Sequence, residues 1–155
     1  IYFDLLLETN PLYNNGVVPK SMEDGRLPPE LDPVHYDLEI RPDIYTDGPP
    51  FINNGHVDIT FHALDATNQI VLNYRALTLV EGSMTLESYN DTGPVPSILG
   101  YGVLPDVEFV VVTLSGDLEP DHFYVFGVSF VSTLGTAANR AGLYWDSYEK
   151  DGETR

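Results

Sequence analysis

Along most of this chain apolar and polar residues alternate with a period of two, and the alternation stops at clusters of Pro, Gly, Asn and Asp. Tyr36, Leu38 and Ile40 interleave with Asp37, Glu39 and Arg41, the pattern of a strand with one covered face. A second strand places Val57, Ile59, Phe61 and Ala63 on one side and His56, Asp58, Thr60 and His62 on the other, because successive side chains of a strand point to opposite faces. Residues 69–74 form a third, with Ile70 and Leu72 on one side. Leu77 and Leu79, then Met84, Leu86 and Tyr89, predict two short strands joined near Glu81-Gly82. Residues 107–114 are almost wholly apolar, which predicts a strand covered on both faces. Residues 122–131 form a long aromatic-rich strand. Tyr144, Trp145 and Tyr148 lead into a hairpin at Lys150-Asp151-Gly152, Asp-Gly being a strong two-residue hairpin signal.

Between these strands lie predicted turns or loops at 42–54, 65–68, 90–102, 115–121 and 134–140, and the strands Tyr36 and Leu38 belong to are expected to fill a core face with them. No long window repeats with helical period, and twelve prolines and thirteen glycines punctuate the short strands. This spacing, about one turn signal per 8–12 residues, predicts an all-β fold, an antiparallel β-sandwich or open barrel. Residues 26–155 carry the regular pattern and read as one β domain. Residues 1–25 read as a lead-in or stalk, with a short strand over 2–7 and turn chemistry at Asn10-Pro11 and Asn14-Asn15-Gly16.

Composition narrows the function. The 155 residues, 43% of them hydrophobic, suffice for a core, and the net charge of −17 repels phosphate. The charge therefore argues against nucleic-acid partners and against electrostatic docking on anionic membranes. There is no cysteine, so disulfides, thiolate zinc sites and thiol catalysis are excluded. No stretch approaches the ~18 apolar residues of a membrane span. The chain begins with Ile1, as a segment from inside a longer or processed chain would.

Tests for chemistry come out negative. Zinc peptidases place two histidines and a glutamate on one helical turn as H-E-x-x-H. Of His35, His56, His62 and His122, none precedes a glutamate. His56 and His62 share a strand face, but at ~3.3 Å per residue they stand roughly 20 Å apart. No G-x-S-x-G elbow occurs, and nothing along the chain marks a Ser–His–Asp set, which is a spatial arrangement. Asp117, Glu119 and Asp121 cluster in an expected turn without calcium-loop spacing, so they read as a solvated turn. Tyr144, Trp145 and Tyr148 read as packing residues rather than a ligand platform. No catalytic, substrate-binding or metal-ligating residue is assigned. Asn90-Asp91-Thr92 is an N-x-[ST] acceptor in an expected exposed loop, which makes Asn90 the one predicted modification site.

Three stretches, in order, resemble the aminopeptidase N family of zinc metallopeptidases. Arg26-Leu27-Pro28 followed by Pro33-Val34-His35-Tyr36-Asp37-Leu38 resembles the family's opening, R-L-P and then P-x-x-Y-x-L. Gly55-His56-Val57-Asp58-Ile59, then Ala66-Thr67-Asn68-Gln69-Ile70-Val71-Leu72-Asn73, resembles its G-x-V-x-I and A-T-x-x-I-x-L-(H/N) strands. Gly142-Leu143-Tyr144, Ser147-Tyr148 and Gly152 to Arg155 resemble its G-(F/L)-Y-x-S-x-Y … G-x-x-(R/K) segment. The loop from Asn90 to Asp106 and residues 1–25 follow no family pattern.

The resemblance implies a saddle-shaped β domain, the N-terminal one, packed on a downstream thermolysin-like catalytic domain of the same polypeptide. In the family that second domain holds zinc on H-E-x-x-H with a further glutamate, and binds the peptide's N-terminus with G-A-M-E-N. The first domain's substrate contact lies beyond Arg155, so no substrate or catalytic residue transfers to a position here. The expectation is a structural domain that shapes the cleft of a zinc aminopeptidase, without cofactor or catalysis of its own, in a parent that binds peptide and pairs as a homodimer. An extracellular or cell-surface ectodomain is expected, with a cytoplasmic location as the alternative, and an exposed apolar patch where the catalytic domain docks. The alternatives are a cell-surface adhesion module and a domain of an inactive paralogue.

Overall fold

A computed structural model describes residues 25–45, 48–90, 94–136, 138 and 142–154. The expected strand over residues 2–7 lies outside them. The described elements are all strands: β1 Leu31–Asp43, β2 Ile52–Ala63, β3 Thr67–Asn73, β4 Leu77–Leu79, β5 Thr85–Ser88, β6 Ile98–Leu104, β7 Phe109–Leu118, β8 Phe123–Thr133, β9 Glu149–Lys150 and β10 Glu153–Thr154. They form a five-stranded sheet in the order β1-β2-β8-β4 with β5 also on β8, a three-stranded sheet β3-β7-β6, and the hairpin β9-β10. The register-defined pairs β3–β7, β6–β7, β4–β8 and β9–β10 are antiparallel, and neither larger sheet closes on itself. The all-β antiparallel class is thus the observed one.

The chain divides into two compact units. The first comprises Ile1–His35, Ile59–Arg75 and Thr85–Phe126; the second comprises Tyr36–Asp58, Ala76–Met84 and Gly127–Arg155.

The first unit is organised around β7. Phe109, Val110, Val111, Val112 and Leu114 are all buried, as a continuous apolar run between two neighbours requires. On one face Phe109 and Val111 pack with Val71, Leu104 and Val107. β6 overlaps the loop expected over 90–102 from Ile98 onward and corrects it there. Gly100 and Gly102 look like breakers along the chain, but they stand opposite Thr113 and Val111 of β7, where a bare backbone is accommodated within a strand. The register slips between Ile98 and Gly100, and the intervening Leu99 is exposed. A second slip lies between Thr67 and Gln69, whose β7 partners are Leu118 and Thr113. The five-residue offset on β7 leaves Ser115, Gly116 and Asp117 exposed, so the turn expected from residue 115 is an irregular stretch of strand. The chain turns afterwards, through Pro120 and Asp121, where Asp121 takes a positive φ of 64°, a conformation that Asp tolerates.

In the second unit β4 pairs with β8 through Leu77↔Ser132, Thr78↔Val131 and Leu79↔Phe130. Gly55 of β2 lies against the Phe130 ring, with no room for a Cβ. Phe51 and Trp145 pack edge to face at 5.3 Å and 88°, and Trp145 N–H donates to Gly135 O at 3.0 Å. The predicted hairpin forms, with Asp151 (φ 56°) and Gly152 (φ 80°) as its two central residues, both left-handed as a type I′ turn demands.

The strand expected at 36–41 is longer and faces the other way energetically. β1 runs from Leu31 to Asp43, and Val34, Tyr36, Leu38 and Ile40 are 51, 56, 53 and 42% exposed. Tyr36 and Leu38 therefore fill no core face among the described residues. Period-two alternation marks a face suited to burial, but it cannot say what covers that face. β1 is also the edge of its sheet, which tolerates Pro33 and Pro42 because one row of its backbone N–H groups meets no strand among the described residues.

Candidate functional site

The second unit carries an open cleft of about 310 Å³ whose lining includes Glu39 and Arg41 of β1, Asn54 and His56 of β2, and Ser129 and Phe130 of β8. Strand parity builds it. Glu39 and Arg41 are alternate residues of β1, and Asn54 and His56 are alternate residues of β2, so each pair points from one face.

His56 and Ser129 of the lining belong to a hydrogen-bonded series that continues to Asp58. His56 Nε2 lies 3.2 Å from Asp58 Oδ1, and His56 Nδ1 lies 2.9 Å from Ser129 Oγ. An ionised carboxylate only accepts, so a neutral imidazole carries its proton on Nε2 and receives the Ser129 hydroxyl proton at Nδ1. The Ser129 backbone is itself clasped. Its N–H donates to Ser83 Oγ at 3.0 Å, Ser83 Oγ donates to Val80 O at 2.7 Å, and Val80 N–H donates to Ser129 O at 2.9 Å. The His56 and Asp58 side chains are 38 and 44% exposed, so water reaches the series. At the cleft wall Arg41 Nε donates to Glu39 Oε1 at 2.6 Å. Both side chains are more than half exposed, and such a pair contributes at most about 1 kcal/mol.

The other histidines serve apart from this cleft. His62 stacks on Phe123 with ring centroids 4.5 Å apart and planes 11° apart. His122 Nδ1 donates to Pro120 O at 3.0 Å, and His35 is an exposed residue of β1. Among the described residues no group of three or more His, Cys, Asp or Glu is arranged to hold a metal ion; they offer no donor set for zinc. Of the acidic trio, Asp117 belongs to β7, while the Glu119 N–H donates to the buried Tyr124 hydroxyl at 3.0 Å. The Tyr74 phenol has a pKa above its usual value, through burial first and the nearby Tyr101 second, so it stays neutral at physiological pH. Tyr144 and Tyr148 are exposed, whereas Trp145 is half-buried. Asn90 is exposed in the turn after β5; Asp91 and Thr92 of its acceptor tripeptide lie outside the described residues.

Sequence reading finds part of this cleft. His56 and Asp58 on one face follow from alternation alone. Ser129 does not, because its approach to His56 is a cross-strand contact between residues 73 positions apart.

The described residues form an all-β antiparallel domain, and the family-like stretches reach its strands β1, β2 and β3 and its hairpin β9-β10. The sequence matches the family described as Peptidase M1 N-terminal domain over residues 32–155, and the chain belongs to that family, the N-terminal domain of M1 aminopeptidases. It is 31% identical over 163 aligned positions to Aminopeptidase Q of Homo sapiens, an alignment covering 98% of this chain and 16% of that protein. Glutamyl aminopeptidase of Bos taurus is 28% identical over 160 positions, covering 95% of this chain and 15% of the relative. Aminopeptidase N of Haemonchus contortus is 27% identical over 127 positions, covering 79% and 13%. The chain thus spans about a sixth of the length of the first of these curated relatives.

Proposed function

We propose that this chain is the structural N-terminal domain of a zinc aminopeptidase, packing on a downstream catalytic domain of the same polypeptide and shaping its active-site cleft. The parent removes N-terminal residues from peptides, with zinc held by that catalytic domain. The present residues take no part in binding the metal, and no step of the peptidase reaction is routed through them.

The observation that carries this reading is the apolar face of β1. Val34, Tyr36, Leu38 and Ile40 alternate along an edge strand and are all exposed. A row of exposed apolar side chains on one strand marks an interaction surface, and edge strands are otherwise guarded against association. Membership of the M1 N-terminal domain family supports a catalytic domain of the same polypeptide as the occupant. Hydrogen exchange on the chain alone and on the chain joined to its downstream partner domain tests it. Protection of residues 34–40 only in the joined protein supports the reading, and equal exchange in both overturns it. The chain alone, given zinc, should release no chromophore from an amino-acid anilide.

The same reading makes the domain part of a secreted or cell-surface ectodomain that binds peptide and not nucleic acid, with Asn90 as a glycan acceptor and a homodimer as the parent's assembly. A mass decrease of the Asn90 peptide on treatment with an amide-cleaving glycosidase checks the modification.

A further inference from the structure

We propose that Ser129 is a reactive serine, a hydroxyl activated by His56 and Asp58 that accepts the acyl group of small activated carboxylic esters. The inference stands apart from the zinc reading and uses none of its residues.

Three observations carry it. The first is the series itself: carboxylate, imidazole and hydroxyl are joined at 3.2 and 2.9 Å, which is hydrogen-bond reach for a nucleophile and its base with a third group orienting the base. The ring nitrogens exchange the parts they take in serine proteases, with the carboxylate at Nε2 and the hydroxyl at Nδ1. Such sets are defined by geometry and role rather than by atom label or position along the chain. The second is preorganisation. Ser83 holds the Ser129 N–H, and Val80 holds the Ser129 carbonyl, so the nucleophile sits on a backbone fixed from both sides. The third is access. The series opens into a cleft of about 310 Å³, which admits a small acyl group.

The chemistry closes without further reagents. Ser129 Oγ bonds to the carbonyl carbon of the ester while its proton passes to His56 Nδ1. Asp58 stabilises the imidazolium that forms. The ester C–O bond then breaks and the alkoxide leaves with the proton from Nδ1, so serine and ester give acyl-serine and alcohol. Arg41 and Asn54 are the donors in the cleft lining available to the carbonyl oxygen. Arg41 is engaged with Glu39, but an exposed pair of this kind opens at little cost.

A fluorophosphonate is the probe, because its phosphorus takes the serine oxygen, expels fluoride and leaves a stable adduct. Adduct formation on the intact protein is followed at each serine by peptide mass spectrometry. Positioned general-base assistance is worth about 100-fold or more, so Ser129 should be labelled about 100-fold faster than Ser147. Ser147 lies in an exposed stretch and has no histidine partner among the described residues. His56→Gln should bring Ser129 down to the rate of Ser147, and Asp58→Asn should lower it, in variants whose circular dichroism matches the unmutated protein. Labelling of Ser129 no faster than Ser147 in the unmutated protein overturns the proposal without reference to any variant. An unchanged rate in His56→Gln overturns it as well.

Discussion

The two units of this domain use similar strands for opposite ends. Among the described residues, twelve of the fourteen buried hydrophobic side chains belong to the first unit, and only Val128 and Leu134 to the second. The second unit instead exposes Tyr36, Leu38, Ile40, Ile44, Tyr45 and Ile52, and holds the polar cleft. β7 and β1 make the contrast concrete. In β7 the apolar run lies between β3 and β6, and both of its faces are closed. In β1 the apolar residues alternate along a sheet edge and stay open. The first unit therefore holds most of the buried core, although it too exposes Leu64, Tyr89 and Leu99. The second leaves the apolar residues of β1 open, the surface on which the proposed reading places a partner domain.

The largest effect should follow from placing a charge at the centre of β7. Val111 is fully buried and stands opposite Val71 and Gly102. Val111→Asp leaves a carboxylate with no partner in an apolar layer, and should cost about 4 kcal/mol or more. That exceeds a good part of a typical domain's stability, so the cooperative urea transition followed by circular dichroism should be lost. Retention of a normal transition would show that the first unit is far looser than its burial implies.

A smaller effect is expected where the second unit is tightly packed. A Cβ at Gly55 collides with the Phe130 ring, and the ring, held next to the β4–β8 pairing, has to shift. Gly55→Ala should destabilise by about 1–3 kcal/mol, and Phe130→Leu combined with it should recover part of that loss. If Gly55→Ala is neutral, the second unit has slack throughout and the contrast between the units deepens. Smaller again is Tyr124→Phe in the first unit. It deletes the hydroxyl that receives the Glu119 N–H while leaving the buried ring, and should cost about 1 kcal/mol in the same urea titration.

The two units also differ in how far the sequence discloses them. β2, β3, β7 and β8 follow from alternation or from an unbroken apolar run, and the Asp151-Gly152 hairpin from its turn residues. β6 does not, because Gly100 and Gly102 carry no side chains from which a period is read, and their place opposite β7 is a long-range fact. The irregular residues 115–117 look like a turn for a related reason: a bulge puts turn-like residues inside a strand. The clearest divergence is β1, where the period is right and the burial is not. A period reports which side chains share a face, whereas burial depends on what lies over that face. The cleft divides in the same way, with His56 and Asp58 legible on one strand and Ser129 brought in by the pairing.

The smallest expected effect is the most informative about β1. Leu38 is 53% exposed on the edge strand, so it has little transfer free energy to lose, and surface substitutions away from special features stay within about 0.5 kcal/mol. Leu38→Ser in the chain alone should therefore leave the urea midpoint almost unmoved, although the same loss of an apolar side chain in β7 is costly. In the parent protein the outcome should change. If the β1 face docks on a catalytic domain, Leu38 becomes buried there, and its removal costs transfer free energy plus the cavity left behind, in the range of about 2–5 kcal/mol seen for large-to-small substitutions in cores. The difference between the two measurements isolates the contribution of the interface, because the substitution is identical in both. A negligible cost in both would mean that β1 is simply an exposed edge, and the apolar surface of the second unit would need another explanation.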